Sequence, residues 1–234
     1  MPTSRPDRSV SRRTAAGENR LPPAVAVVVA IVVYALLPSS VQLTNRLIIP
    51  AVELLLLVAL IVTNPRRMTR ETRWSRWLSI GLATIVILAN LGSLGMLVSE
   101  VSSTNGNHLL VAAMQTWVTN VIGFALLYWE LDRGGPVARR REDRSDIPAA
   151  DWRFSQDEND GAVVEVKKTS SKSADWIPIF VDYAYVSLTN SSAFSPTDTM
   201  PLTSRAKVLM GIQATAALLT SLVLVAFAVG SLGQ

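Results

Sequence analysis

Stretches without a formal charge recur along this chain: Leu21–Asn45, Trp77–Ser99, Val101–Trp129 and Val208–Gln234. Each holds the roughly 20 apolar residues that a helix needs to cross about 30 Å of hydrocarbon. A further run, Leu47–Pro65, is interrupted only by Glu53. A soluble chain of 234 residues does not bury so many uncharged stretches. Strands of a β-barrel would be shorter and would alternate polar with apolar residues, which these runs do not. The expected fold class is therefore all-α, an integral membrane helical bundle.

Composition narrows the function classes. Without cysteine there is no disulfide framework and no thiolate chemistry. The single histidine, His108, stands at the start of a span, so neither a metal site nor another cofactor is expected. The net charge of +4 comes from arginines beside the spans, with no basic patch interleaved with aromatics, so nucleic acid is not expected as a partner. The chain carries no HExxH, no Gly-x-Ser-x-Gly, no Walker loop and no GxGxxG after a strand. The hydroxyls of Ser187–Ser192 have no histidine or placed lysine nearby in sequence to act as base. The chain does not read as an enzyme.

Four segments follow along the chain. Residues 1–20, with Arg5, Arg8, Arg12, Arg13 and Arg20, read as a disordered basic tail. Residues 21–132 read as a four-span bundle, with spans at Leu21–Leu37, Leu47–Thr63, Trp77–Ser99 and His108–Tyr128. Pro22 and Pro23 suit a first helical turn, where a missing N–H costs nothing. The basic region before the first run is long and a second run follows at once, so the first is expected to stay as a helix, not to be removed as a signal peptide. Gly81, Gly92 and Gly95 are expected to let helices approach closely. Residues 133–175 read as a polar loop or small flap, in which Ala162–Lys168 could form a short strand. Residues 176–234 hold an aromatic membrane segment, Trp176–Phe194, then a turn and a final span from Thr203 to Val229, with Thr203 or Ser204 as N-cap.

Lys and Arg alternate by loop. They are dense at the N-terminus, Asn64–Arg76 and Asp132–Arg144, and sparse at Pro38–Arg46 and Glu100–Asn107. That pattern puts the N-terminus and the dense loops on the cytoplasmic side. Trp176–Phe194 then has two readings. It crosses outward, giving six spans with both ends inside, or it re-enters from the cytoplasm, giving five spans with the C-terminus outside. Its length of about 19 residues favours crossing.

The stretch Val181–Ala214, with its Phe194-Ser-Pro-Thr-Asp-Thr199 turn, and Trp129–Pro136 (Trp-Glu-Leu-Asp-Arg-Gly-Gly-Pro) carry a resemblance. They resemble a family of uncharacterised bacterial, often actinobacterial, multi-pass membrane proteins. The likeness covers roughly the last 110 residues, and it implies a multi-pass protein of the bacterial plasma membrane. More remotely, the stretch is similar in layout to the pore module of two-span potassium channels. Tyr183–Asn190 matches the pore helix, Asp198-Thr-Met-Pro201 the Asp-x-x-Pro, and Arg205 and Lys207 the basic start of the inner helix. The filter does not match: potassium filters align backbone carbonyls with glycines, and Ser191–Thr197 has none. Asp198 is expected to cap backbone N–H groups in the turn, with Pro201 opening the next element.

Polar side chains inside spans are costly and face the bundle. They are Glu53, Asn90, Gln115, Asn120 and Gln213, with Asp182 in the aromatic segment and Asn190 and Asp198 near the turn. At about 1.5 Å per residue, the span positions all fall near mid-membrane or in the outer half. They read either as a proton- or cation-binding site centred on Glu53, or as interhelical hydrogen bonds worth about 0.6 kcal/mol each. Two functions follow. One is an ion-channel-like or transporter-like protein without potassium selectivity. The other is a non-transporting membrane scaffold that binds a protein partner through 133–175. The partners this admits are the lipid bilayer, a second copy of the chain in a homo-oligomer, and that protein.

Overall fold

The computed structural model describes residues 17–43, 45, 47–63, 67–68, 73–100, 106–158, 161–193 and 198–232. They form eight α-helices and two short strand pairs. α1 is Leu21–Ala35, α2 Ile48–Thr63, α3 Arg73–Glu100, α4 Gly106–Leu131, α5 Pro136–Arg141, α6 Val164–Lys167, α7 Phe180–Ser192 and α8 Ser204–Leu232. β1 is Glu18–Asn19, β2 Arg67–Met68, β3 Trp152–Arg153 and β4 Met200–Pro201. Three helices are long and apolar enough to cross a membrane, by length and composition: α3, α4 and α8. Shorter apolar helices lie at Leu21–Ala35 and Ile48–Ala59.

Local signals set the helix ends. Pro22 and Pro23 occupy the first turn of α1, and the Asn19 side chain accepts the Leu21 N–H at 3.0 Å. Pro38 lies just past the end of α1, and the residue before a proline disfavours helix. Asn45 accepts the Leu47 N–H at 3.3 Å ahead of α2. Thr203 is the N-cap of α8, its hydroxyl accepting the Ala206 N–H at 3.2 Å.

α4 is the central pillar and packs against α1, α3, α7 and α8. α3 also packs on α2, and α1 on α2. The closest helix–helix approach marked by a glycine is at Gly123 of α4. A Cβ there would meet Ile87 Cγ1 at 3.0 Å and Val86 Cγ1 at 3.2 Å on α3. The glycines singled out from sequence behave otherwise. Gly81 and Gly95 have nothing within 4 Å, and Gly92 makes room for Leu43 of the α1–α2 loop.

One end of the bundle carries an ordered cap. β1 and β2 pair there, antiparallel, with Glu18 opposite Met68. β3 and β4 pair there too, with Trp152 opposite Pro201. The starts of α1, α3, α7 and α8 and the end of α4 all gather at this end, held by the contacts described below. The basic tail expected through residue 20 therefore stops short of it. Glu18 and Asn19 are built into the cap, and residues 1–16 lie outside the described residues. Nor is 133–175 a bare loop, since Trp152 is wholly buried among bundle side chains. Within it Val164–Lys167 is a single helical turn, not the short strand expected there.

The largest departure concerns the aromatic segment. Trp176–Ile179 lies outside any helix or strand, and α7 has only 13 residues. At 1.5 Å per residue it spans about 20 Å, short of the roughly 30 Å of a hydrocarbon core. It starts at the cap and ends against the first third of α8, and the chain returns to the cap at β4. The segment does not traverse the bundle. The Phe194–Thr197 part of the turn lies outside the described residues, as do loop residues 64–66, 69–72 and 101–105.

Gly123→Leu should overpack the α3–α4 contact and cost about 1–3 kcal/mol. Gly95→Leu, in open space, should change stability by less than about 0.5 kcal/mol. Thermal unfolding of the two detergent-solubilised variants reads the difference.

Candidate functional site

α7 is apolar and aromatic at its start and polar at its end. Its last two turns read Ser187-Leu-Thr-Asn-Ser-Ser192. Hydroxyls on these turns bond back to carbonyls of the preceding turn. Thr189 donates to the Tyr185 and Val186 carbonyls at 3.0 and 3.1 Å, and Ser192 to Leu188 at 2.8 Å.

The other polar residues of α7 turn inward and meet Gln213 of α8, which is fully buried. Gln213 Oε1 accepts the Tyr128 hydroxyl at 2.6 Å and the Asn190 amide at 2.9 Å. Its Nε2 donates to the Ser187 carbonyl at 3.0 Å, the Ser187 hydroxyl at 2.6 Å and the Ser191 hydroxyl at 2.9 Å. Asn190 also donates to the Met210 carbonyl at 3.0 Å, and Ser187 to the Val121 carbonyl at 2.7 Å. Asn120 reaches the Gln213 carbonyl at 3.4 Å. Every donor and acceptor of the Gln213 side chain is thus engaged by protein. α4, α7 and α8 are tied at one point.

A second polar layer lies at the cap and grows from Trp129–Pro136. Asp132 is buried where α4 ends, and its carboxylate accepts the Tyr183 hydroxyl at 2.6 Å and the Asp151 N–H at 2.7 Å. Arg133 takes a positive φ of 51°, and Gly134 and Gly135 follow at 79° and 94°. Only glycine adopts such angles without strain, and Arg133 is held in place by Asp157 at 2.6 Å and the Trp152 carbonyl at 3.2 Å. The turn sends Arg139 of α5 back under the bundle, wholly buried. It donates to the Trp129 and Asp132 carbonyls at 2.7 and 2.8 Å and lies 3.7 Å from Glu18. Its guanidinium also sits 5.0 Å from the Tyr183 ring centre. Glu18 accepts from the Trp129 indole and the Phe180 N–H, each at 2.9 Å. Asp151 receives Arg205 and Thr203, which fixes the start of α8.

Burial pushes the Glu18 and Asp132 carboxyls above their ordinary range, against the pull of Arg139 on the first and of Arg133 on the second. Burial also works on Asp157, but the Ser171 hydroxyl, Arg133 and the Phe154 N–H outweigh it and hold that group low. Arg133 is likewise opposed by burial and ends above its ordinary value because Asp132 and Asp157 face it.

Of the residues singled out from sequence, Asn120, Asn190 and Gln213 come together in the knot. Asp182 does not join them: it accepts the Ile179 N–H at 2.7 Å and caps its own helix. Asp198 stands exposed beside β4, with the Thr199 hydroxyl 3.5 Å away. The cap of α8 belongs to Thr203, and Pro201 sits in β4, the element that follows the turn. Asn90 is buried on α3, and Gln115 is half-buried on α4. Glu53 is 1 % exposed on α2, apart from the knot. Tyr128, Ser187 and Ser191 were not anticipated, nor was the layer of Glu18, Asp132, Arg133, Arg139, Asp151 and Asp157. The one signal for that layer was the Trp129–Pro136 motif. Among the described residues no group of three or more His, Cys, Asp or Glu could hold a metal ion. Comparison with family models, with curated proteins and with solved structures returns no match.

Gln213→Leu strands Tyr128 and Ser191 in an apolar interior and takes one of the two bonds of Asn190, at about 1–3 kcal/mol per stranded group. Tyr128→Phe removes one bond and should cost only about 0.6 kcal/mol. Unfolding midpoints in detergent should rank wild type, Tyr128→Phe and Gln213→Leu in that order.

Proposed function

We propose that the chain is a non-transporting, non-enzymatic membrane scaffold of the bacterial plasma membrane that binds a protein partner through its cap. In this reading α3, α4 and α8 span the membrane, and the shorter apolar helices α1 and α2 with the loop between them complete a set of five membrane segments, with the N-terminus and the cap in the cytoplasm and the C-terminus outside. α7 is a half-helix that re-enters from the cap. The arginine-dense loops support that orientation. The likeness of Trp129–Pro136 and Val181–Ala214 to a bacterial multi-pass family supports the location.

The observation that carries the proposal is the Gln213 knot. In a pore-loop channel the end of the half-helix opens on a path lined by backbone carbonyls. Here that end is tied to α4 and α8 by direct protein bonds through Ser187, Asn190 and Ser191. A conducting path there would have to break several of them. For the partner, the cap tip offers Val163, Val164 and Val166, all exposed, beside Lys167, Lys168 and Lys172. Exposed apolar side chains rimmed by charge are a surface suited to a protein. The transporter reading keeps one observation in its favour, the buried Glu53 carboxyl.

Proteoliposomes holding the full chain should pass K⁺, Na⁺ and H⁺ no faster than empty vesicles. Flux above that background that Glu53→Gln abolishes would overturn the scaffold reading. Because the chain has no cysteine, single introduced cysteines report topology directly. One at Glu158 should label only from the cytoplasmic face and one at Gln234 only from outside. A photocrosslinker at Val164 should give a discrete protein adduct in native membranes, and the same group at the apolar Leu222 should not.

A further inference from the structure

The helices α1 and α7 begin side by side at the cap and pack together there. Between their first residues lies a cavity of about 300 Å³. Asn19 and Pro22 line it from the α1 side and Ile179–Val181 from the α7 side, and Arg140 of α5 completes the lining. Both helices are apolar from this point on. Leu21 and Val25 stand exposed on α1, and Val181, Tyr185 and Leu188 make an exposed stripe along α7. With the cap on the cytoplasmic side, as proposed, the cavity sits at the level of the inner-leaflet headgroups.

The charges around this cavity do not cancel. Glu18 also lines it, but Arg139 lies 3.7 Å from that carboxylate, and the Trp129 indole and the Phe180 N–H both donate to it. The start of α7 is engaged as well, since Asp182 accepts the Ile179 N–H. The ion pairs of the cap use Arg133, Arg139, Arg144, Arg153 and Arg205. Arg140 makes none among the described residues, and its Nε is buried there without a hydrogen bond. One positive charge at the cavity is thus left uncompensated. A second basic cleft, of about 280 Å³, is lined by Arg133 and Arg144, but Asp157 and Asp175 already answer those two.

A guanidinium presents parallel N–H groups that match the oxygens of a phosphate. Basic pockets between membrane helices on the cytoplasmic side suit acidic lipid headgroups. One uncompensated cation calls for one phosphate, and a choline headgroup would bring a second cation to it. We propose that this cavity binds the headgroup of an anionic phospholipid with a single phosphodiester, Arg140 holding the phosphate and the acyl chains lying along the exposed faces of α1 and α7. The proposal rests on the membrane placement given for the cap, not on the scaffold role.

Native mass spectrometry of the purified full chain reads the site. Phosphatidylglycerol or phosphatidylcholine of identical chains is added to the detergent solution, and bound lipids are counted. One phosphatidylglycerol should bind about fivefold more tightly than phosphatidylcholine, the effect of one basic side chain at a charged surface. Arg140→Gln should abolish that preference. Arg140→Lys keeps the charge and should keep part of the preference, which separates lost binding from lost folding. Arg141→Gln, exposed on the same helix, changes the net charge equally and should leave the preference intact. Equal binding of the two lipids by the wild type overturns the proposal. So does a preference that survives Arg140→Gln, or one that Arg141→Gln removes equally. Free glycerol 3-phosphate binding as tightly as the lipid would make a soluble anion the occupant, and a lipid-free dimer would make it a second copy; either result overturns the proposal. The cysteine labels at Glu158 and Gln234 test the membrane placement separately, so the expected topology without a lipid preference counts against this site alone.

Discussion

A polar side chain buried in an apolar interior must find its partners in the protein, and Gln213 is the place where this chain meets that constraint most severely. The answer comes from α7. Its Ser187 and Ser191 hydroxyls accept from the Gln213 amide, and its Asn190 donates to the Gln213 oxygen. The seating of α7 against α8 follows from these bonds, and so does the central role of α4, whose Tyr128 and Asn120 complete the set.

The cap works by the opposite rule. There, charge is concentrated and then buried. Arg139 is surrounded by two backbone carbonyls, Glu18 and an aromatic ring, and Asp132 by a tyrosine hydroxyl, a backbone N–H and Arg133. Removing one partner from such a set leaves an uncompensated charge, which costs more than the intact pair contributes. Trp152, Tyr183 and Phe154 pack around these charges, with ring centres 5.4 to 6.4 Å apart. The cap is thus a small folded body joined to the helix ends through these buried polar contacts.

Much of this was legible in the amino-acid order, and the misses have physical causes. The long helices follow from charge-free runs, and Thr203 announced itself as a cap by its type and place. Asn120, Asn190 and Gln213 stood out because amides are conspicuous among Val, Leu and Ala. Tyr128 did not, because a tyrosine near the end of a span reads as an interfacial anchor. Arg139 and Glu18 were hidden for a similar reason: charges flanking a span look like orientation signals, and only the fold reveals that two of them are buried. The length of α7 was obscured by composition. Trp176-Ile-Pro-Ile179 is as apolar as any span, but it is not helical, and the polar run Ser187–Ser192 that limits the helix resembles a turn. The glycines misled in another way, since a small residue permits close approach without requiring it.

The contacts of α7 also bear on the order in which the chain can be assembled. Its partners come from both directions in sequence: Glu18, Val121 and Asp132 precede it, while Met210 and Gln213 follow. As the chain is synthesised, the first four helices and the Trp152 segment exist before α7 emerges, but Gln213 does not. Until α8 has been made, Asn190 and Ser191 lack the partner that Gln213 supplies, and of the inward-facing groups only Ser187 has its bond, to Val121 of α4. The polar end of α7 is therefore satisfied last, when α8 packs against α4 and α7 together.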